Sequence, residues 1–278
     1  DIFKELKMDY PEEFNERDRI SYVLIKIYEK TGIPFVIIID EWDCIFRSRK
    51  NQLEEQTKYL DFLRDLLKDK SYIALAYMTG ILPIKKYGEH SAINVFYEYS
   101  MTDASPIEEF TGFTEQEVRQ LCEHYNMPFS ETKKWYDGYL FNNFEIYNPW
   151  SILKYVNDRK DHVTEFALPY WSNTSSNSIV REMVGEADQK AKADLETLIN
   201  GGTIEKPVHE DITYGDIHQS QDNLWNFLFF TGYLKKMSER KDESGESLYL
   251  SMAIPNTEIK TIYKNSISYW FEQRMKET

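Results

Sequence analysis

The segment Phe35–Asp43, with the sequence FVIIIDEWD, decides the fold prediction for this 278-residue chain. Its first five residues are apolar and four of them are β-branched, which favours a short strand over a helix. Because polar and apolar residues do not alternate within this run, we expect a strand buried on both faces of a parallel sheet. The carboxylates of Asp40 and Glu41 follow directly. Burying an unpaired carboxylate is costly, so both are expected to face water or a cation at the end of the strand.

The segments on both sides of this strand alternate between helix and strand. Gly32 is predicted to end the helix that precedes it. A second buried strand is predicted over residues 72–78 and a third over residues 93–99. This alternation predicts a parallel sheet with helical crossovers, in which ligands bind at the carboxyl ends of the strands. The helical faces are defined by apolar residues at three- and four-residue spacing: Ile20, Val23, Leu24, Ile27 and Tyr28 before the first strand, and Leu53, Leu60, Leu63 and Leu67 after it.

The end of the second strand adds a hydroxyl, Thr79, to the two acids. If the two strands are neighbours, Thr79 lies beside Asp40 and Glu41. In a nucleotide hydrolase, the first acid of such a pair holds Mg²⁺ and the second polarises the attacking water. The alternatives are a solvent-exposed strand end for the acids and an ordinary turn for Thr79. Asp43 is predicted to cap the following turn rather than to support a metal site.

After about residue 104 the pattern becomes mainly helical. Residues 233–237 and 248–252 flank a polar stretch that contains Gly245, and they predict a β-hairpin. Helices followed by such a hairpin suggest a winged-helix-like end. Residues 1–104 are therefore predicted to form an α/β domain, and residues 105–278 a mainly helical one. The predicted helices of the second domain cover residues 115–125, 131–136, 149–157, 178–184, 187–199, 224–230 and 257–271.

Composition excludes several classes of protein. The first 100 residues carry 18 acidic and 15 basic side chains, and the other 178 carry 29 and 18. Because such a surface repels phosphate backbones, direct nucleic-acid binding is not expected. Cys44 and Cys122 form no CxxC pair, which argues against a disulfide framework or thiolate zinc site and suits the cytoplasm. No apolar run approaches the roughly 20 residues of a membrane span.

Several motifs together resemble one known family. VIIIDEWD (residues 36–43) resembles the Walker B strand of P-loop ATPases of the additional-strand class. The chain as a whole resembles the bacterial AAA-ATPase-like family, which is often fused to a C-terminal PD-(D/E)XK nuclease-type domain. The other matching motifs occur in the family's order: MTGILPI (78–84), GFTEQEV (112–118), WYDGYLF (135–141), IYNPWSIL (146–153), YWSNTSSN (170–177), LWNFLFFTGYL (224–234) and IPN (254–256).

This resemblance implies a Mg²⁺-dependent ATP hydrolase with ATP as its nucleotide. Asp40 would hold Mg²⁺, Glu41 would activate water, and Thr79 would act as the sensor residue beside them. Residues 1–104 would be a partial P-loop NTPase core with the Walker B and sensor strands. Residues 105–278 would be a helical lid with a winged-helix-like domain.

One element of the family is absent from the sequence. A P-loop has the pattern GxxxxGK[ST], and none of the 11 glycines here is followed by lysine. The family places this loop upstream, so we expect it before Asp1 of a longer parent protein. A nuclease-type domain is expected after Thr278. The chain alone is expected to be inactive.

Two questions have alternative answers at this point. The WYDGYLF and IYNPWS motifs are either a ligand or partner surface or, as we favour, turns and core aromatics, with Asn148 capping the helix that starts at Pro149. The chain as a whole could instead be a regulatory scaffold with a degenerate nucleotide site, whose acidic second domain binds an unidentified protein partner. A GxxxxGK[ST] loop upstream of Asp1 would favour the ATPase.

Overall fold

The structure, a computed structural model, describes residues 2–13, 18–49, 52–81, 95–141, 144–173, 180, 185, 188–209 and 220–276, with side chains up to residue 269 except at residue 221. These residues form two compact units. The first unit ends at Glu98 and the second begins at Tyr99. Among the described residues, no helix combines the length and apolar character that a membrane crossing requires.

The first unit confirms the predicted alternation of helices and strands around the two acids. Strands β1 and β2 pair in parallel, with Ile39 opposite Met78 at their carboxyl ends. Helix α2 ends where Gly32 adopts a left-handed φ of +68° and its N–H donates to Tyr28 O. The elements of the unit are α1 (Ile2–Asp9), α2 (Ile20–Thr31), β1 (Phe35–Ile39), α3 (Cys44–Ser48), α4 (Leu53–Leu67) and β2 (Ile73–Met78).

Within the described part of the chain, only one face of this two-stranded sheet is covered. That face packs against the apolar sides of α2 and α4, where Leu63 and Leu67 are buried. On the opposite face Val36 is 59% exposed and Ile38 is 71% exposed, next to the exposed side chains of Leu75 and Tyr77. The prediction of burial on both faces is therefore wrong for the described chain. The apolar run requires a cover, but the described part of this unit supplies only one layer.

The third predicted strand is also wrong where it can be seen. Residues 95–99 form no strand, and residues 93 and 94 lie outside the described part of the chain. Val95, Tyr97 and Tyr99 are exposed. Their alternation with other residues resembles a strand pattern, yet residues 95–99 join none of the sheets of the described chain.

The second unit combines helices with two antiparallel three-stranded sheets, ordered β3-β5-β4 and β6-β8-β7. The predicted hairpin is confirmed as β7 and β8, and the predicted helices are confirmed, except that residues 178–184 lie almost entirely outside the described residues. The winged-helix assignment stays a prediction. The elements are β3 (Phe113–Thr114), α5 (Glu115–His124), α6 (Phe129–Tyr136), β4 (Tyr139–Phe141), β5 (Phe144–Tyr147), α7 (Pro149–Lys160), α8 (Gln189–Ile199), β6 (Ile204–Val208), α9 (Gln221–Phe230), β7 (Lys235–Lys241), β8 (Leu248–Ala253) and α10 (Thr257–Lys276).

Motif residues of the second unit hold one another by hydrogen bonds. Tyr139 OH donates to Gly232 O at 2.6 Å, and Asn256 Nδ2 donates to Asp137 O at 2.8 Å. Asn148 Oδ1 accepts from Trp150 N, which is the helix cap expected at Pro149. These contacts join the WYDGYLF, LWNFLFFTGYL and IPN segments, so they support turn and packing roles for the motifs.

Among the described residues of the second unit, Glu258 has the most buried carboxylate. Its Oε2 accepts from Ser151 Oγ at 2.7 Å and its Oε1 accepts from Trp171 N at 2.8 Å. The residue is only 1% exposed. Burial raises the pKa of the Glu258 carboxyl above its usual range, since the charged form loses its contact with water. The two hydrogen bonds oppose that shift without reversing it.

This shift predicts how stability depends on pH. The folded state keeps the Glu258 proton to a higher pH than the unfolded state, so the contribution of this group is greatest below the unfolded-state pKa and falls as pH rises through the folded-state pKa. Glu258→Gln removes this dependence, and we expect the variant to gain stability relative to the wild type as pH rises from about 4 towards neutrality. Urea unfolding at several pH values measures the effect. The exposed Glu246→Gln is the control, and parallel pH curves for wild type and Glu258→Gln would refute the assignment.

Candidate functional site

The carboxyl ends of β1 and β2 bring the three predicted site residues together. The Thr79 hydroxyl donates to Asp40 Oδ1 and accepts from Glu41 N at 3.2 Å. The backbone extends the pairing beyond the strands, since Thr79 N donates to Ile39 O and Trp42 N donates to Thr79 O, both at 2.9 Å. Asp40, Glu41 and Thr79 therefore form one hydrogen-bonded group at the tip of the parallel pair.

Glu41 has an unusual backbone conformation. Its φ is +51°, in the left-handed region that residues other than glycine rarely adopt. The hydrogen bond from Glu41 N to the Thr79 hydroxyl stabilises this turn. The side chain is 64% exposed, and its Oε2 accepts from Arg47 Nη2 at 2.7 Å. A strained backbone persists only where the surrounding structure holds it in place. Such residues are frequent at functional sites.

Asp43 joins the loops that follow the two strands. It is fully buried, and its Oδ2 accepts from Ile81 N at 3.0 Å. It makes no side-chain cap to α3, so the prediction that Asp43 caps the following turn is wrong. The carboxylate is instead used across the sheet, because the loop after β2 presents a backbone N–H that needs an acceptor in a buried place.

Gly80 allows these two loops to approach. A Cβ at residue 80 would lie 2.3 Å from the indole Nε1 of Trp42, and the Trp42 ring is itself buried against Phe46. Only glycine fits this contact without displacing the indole. Neither Gly80 nor Arg47 was identified from the sequence. The only sequence signal for Arg47 is its position four residues after Asp43, a spacing that places both on one side of a helical turn.

The site presents more negative than positive charge. Asp40, Glu41 and Asp43 lie on one turn, and Arg47 contacts two of them, with Nη2 2.7 Å from Glu41 Oε2 and 3.8 Å from Asp43 Oδ1. Asp40 has the Thr79 hydroxyl as its neighbour instead. The oxygen atoms of Asp40 and Thr79 are therefore the ones best placed to meet a cation.

The oxygen atoms of Asp40 and Thr79 suit a cation that is also bound by a phosphate ligand, rather than one held by protein side chains alone. In the described parts of the chain, no group of three or more His, Cys, Asp or Glu side chains could hold a metal ion. Mg²⁺ typically uses one or two carboxylates, keeps several waters and takes its other ligands from substrate phosphates. Asp40 with the Thr79 hydroxyl fits this pattern.

Comparison with known proteins identifies no family. No protein family and no solved structure matches the chain. The chain is similar to a protein of Azotobacter chroococcum mcd 1 described as an uncharacterized protein in the vnfD 5′ region, with 24% identity over 176 residues. The match covers 61% of this chain and 33% of that protein, so the chain spans about a third of its relative's length.

Proposed function

We propose that this chain supplies the Mg²⁺-binding and water-activating half of an ATP-hydrolysing site, within a longer parent of the AAA-ATPase-like kind. The observation that carries this proposal is the parallel strand pair whose carboxyl ends hold Asp40, Glu41 and Thr79 in one hydrogen-bonded group. Acids at the carboxyl end of a parallel strand, beside a hydroxyl on its neighbour, lie where open α/β sheets bind their ligands.

Each of the three side chains has a separate task in this proposal. Asp40 provides the carboxylate ligand to Mg²⁺, and Thr79 orients that carboxylate by donating a hydrogen bond to it. When bound, Mg²⁺ neutralises the charge of the phosphate oxygens. Glu41 accepts the proton of the attacking water as general base. Its Oε2 is bonded to Arg47, while its Oε1 makes no hydrogen bond within the described residues and is available for that proton.

The open face of the sheet supports a longer parent. Parallel sheets are normally covered on both faces, and a two-stranded pair is seldom stable by itself. Here Val36, Ile38, Leu75 and Tyr77 are exposed on one face. In the parent, the phosphate-binding strand would extend the sheet at an edge, and the helix that follows its loop would cover these side chains. Activity is accordingly proposed for the parent, and weak or no ATP binding for the chain alone.

The partners and location follow from the same proposal. The nucleotide is the ligand of the first unit, and an unidentified protein is the partner of the acidic second unit. A nuclease-type domain would follow in the parent. Both cysteines are free thiols, Cys44 exposed and Cys122 buried, which supports a reducing compartment such as the cytoplasm.

The proposal is tested by Asp40→Asn in the longer parent. We expect ATP hydrolysis to fall about 100-fold, because an amide is a poor ligand for Mg²⁺ and the barrier rises by about 2.7 kcal/mol. Phosphate release is measured over a range of Mg²⁺ concentrations. The control is Asp61→Asn, which removes one charge from the exposed side of α4, where Asp61 pairs with Arg64.

Two results would count against the proposal. An Asp40→Asn variant with the wild-type rate and Mg²⁺ dependence would remove Asp40 from the site. A wild-type parent that neither binds nor hydrolyses ATP would favour the scaffold instead.

A further inference from the structure

We propose that Arg47, supported by the buried Asp43, is a positioning residue that holds the Glu41 carboxylate in its water-activating orientation. This inference rests on the proposed ATP hydrolysis and adds to it a residue that touches neither nucleotide nor metal. It assigns a shared role to three charged side chains: the buried Asp43 attracts Arg47 across 3.8 Å, and Arg47 orients Glu41 through a 2.7 Å hydrogen bond.

The contact between Arg47 and Glu41 is set by the backbone. Arg47 lies on α3, the short helix that begins directly after the site turn. Cys44 N donates to Glu41 O at 2.9 Å and Phe46 N donates to Asp43 O at 3.1 Å, so the helix continues the turn that carries the acids. The Cα positions of Arg47 and Glu41 are therefore fixed by local structure, within reach of each other's side chains.

Burial of the neighbouring side chains keeps α3 in place. Phe46 is 3% exposed and Trp42 is 4% exposed, and their rings meet edge to face with centroids 5.6 Å apart. Asp43 is fully buried and accepts from Ile81 N on the loop after β2. The backbone of Arg47 is thus held in place by buried neighbours. Its side chain, which is 31% exposed, extends to the exposed carboxylate of Glu41.

Glu41 needs such a restraint. Its backbone is left-handed and its side chain is mostly in water, where a glutamate has three rotatable bonds. Fixing a side chain of this length costs up to about 2 kcal/mol of rotamer entropy. Arg47 restrains Oε2 and leaves Oε1 for the proton. A base that is itself oriented by a third group is the arrangement typical of activated nucleophiles.

The role in positioning can be separated from a role in folding. Exposed ion pairs contribute only about 0–1 kcal/mol to stability. Arg47→Met removes such a pair with Glu41 and also the cation 3.8 Å from the buried Asp43 Oδ1, so the melting temperature is expected to fall while the unit stays folded at the assay temperature, which circular dichroism checks. A fall in turnover in a folded variant then reports on the orientation of Glu41.

The experiment compares Arg47→Met and Arg47→Lys in the longer parent, with kcat and ATP affinity measured separately. We expect Arg47→Met to lower kcat about tenfold, since a misplaced catalytic group costs rate rather than binding. ATP affinity should stay within about twofold, because Arg47 is proposed to act on Glu41 and not on the nucleotide. Arg47→Lys should restore part of the rate by returning a cation. In a Glu41→Gln background, Arg47→Met should have no further effect.

The control variant is Arg49→Met, which removes the same charge two residues away, where Arg49 contacts Glu55 at 3.8 Å. It is expected to keep the wild-type kcat. An unchanged kcat in Arg47→Met, in a parent whose turnover depends on Glu41, would overturn the inference alone. Weakened ATP binding, or an equal loss in the Glu41→Gln background, would instead assign Arg47 to the nucleotide. A wild-type parent without ATP turnover would overturn the proposed function itself.

Discussion

Glu41→Gln is expected to lower ATP turnover in the longer parent by about 10²–10⁴-fold, to a small residual rate, while ATP still binds. A positioned general base contributes about 10²–10⁴-fold to a rate, and glutamine cannot accept the proton of the attacking water. The substitution keeps the shape of the side chain and leaves an oxygen that can accept from Arg47 Nη2, as Glu41 Oε2 does. The turn that holds Asp40 and Thr79 should therefore remain, and with it the ligands for Mg²⁺.

The measurement is phosphate release under saturating ATP, together with ATP affinity at equilibrium. Glu54→Gln is the matched control, since Glu54 is an exposed glutamate paired with Lys58 on α4. Turnover at the wild-type rate in Glu41→Gln would remove this residue from the chemistry. Loss of ATP binding together with turnover would mean that the turn had collapsed, which a lower melting temperature of the variant would reveal.

Gly138→Ala is expected to have the largest effect on folding. Gly138 has a φ of +135°, which residues with a Cβ rarely adopt. A Cβ there would lie 2.6 Å from Pro255 O and 2.8 Å from Pro255 Cβ. Backbone strain and overpacking each cost about 1–3 kcal/mol, so the second unit should lose about 2–6 kcal/mol. The hydrogen bond between Asn256 and Asp137 O would be lost with the displacement.

Gly245→Ala is the matched control for this substitution. Gly245 also has a positive φ, +76°, yet no atom lies within 4 Å of a Cβ built there. Its cost should be limited to backbone strain of about 1 kcal/mol. Urea unfolding followed by circular dichroism measures both variants. Equal losses at residues 138 and 245 would show that φ alone, and not the approach of Pro255, makes glycine necessary.

Local pattern was sufficient to predict the elements that carry the site. Helix α2 and strand β1 were found because regular apolar spacing stops at Gly32 and a β-branched run follows. That Thr79 lies close to Asp40 is predicted by one topological rule: strands joined by a helical crossover run parallel and end at the same edge of the sheet. Their hydrogen bond agrees with that expectation.

Three features depend on tertiary packing and could not be predicted from the sequence: the partners of Asp43 and Arg47, the short strands of the second unit, and the open face of the sheet. The partners of Asp43 and Arg47 depend on how the loops after β1 and β2 pack, which no periodicity encodes. The three-stranded sheet β3-β5-β4 was missed because its strands are only two to four residues long. The open sheet face was missed because an apolar run predicts that a strand is covered and not which segment covers it.

We propose that Asp40, Glu41 and Thr79 form the Mg²⁺-binding and water-activating half of an ATP site that another segment completes. Calorimetric titration of Mg²⁺–ATP into the longer parent and into this chain tests it most directly. The parent should bind one nucleotide per chain only when Mg²⁺ is present, and this chain should give no binding heat. A parent that binds no nucleotide, or a chain that binds ATP as tightly as its parent, would contradict the claim.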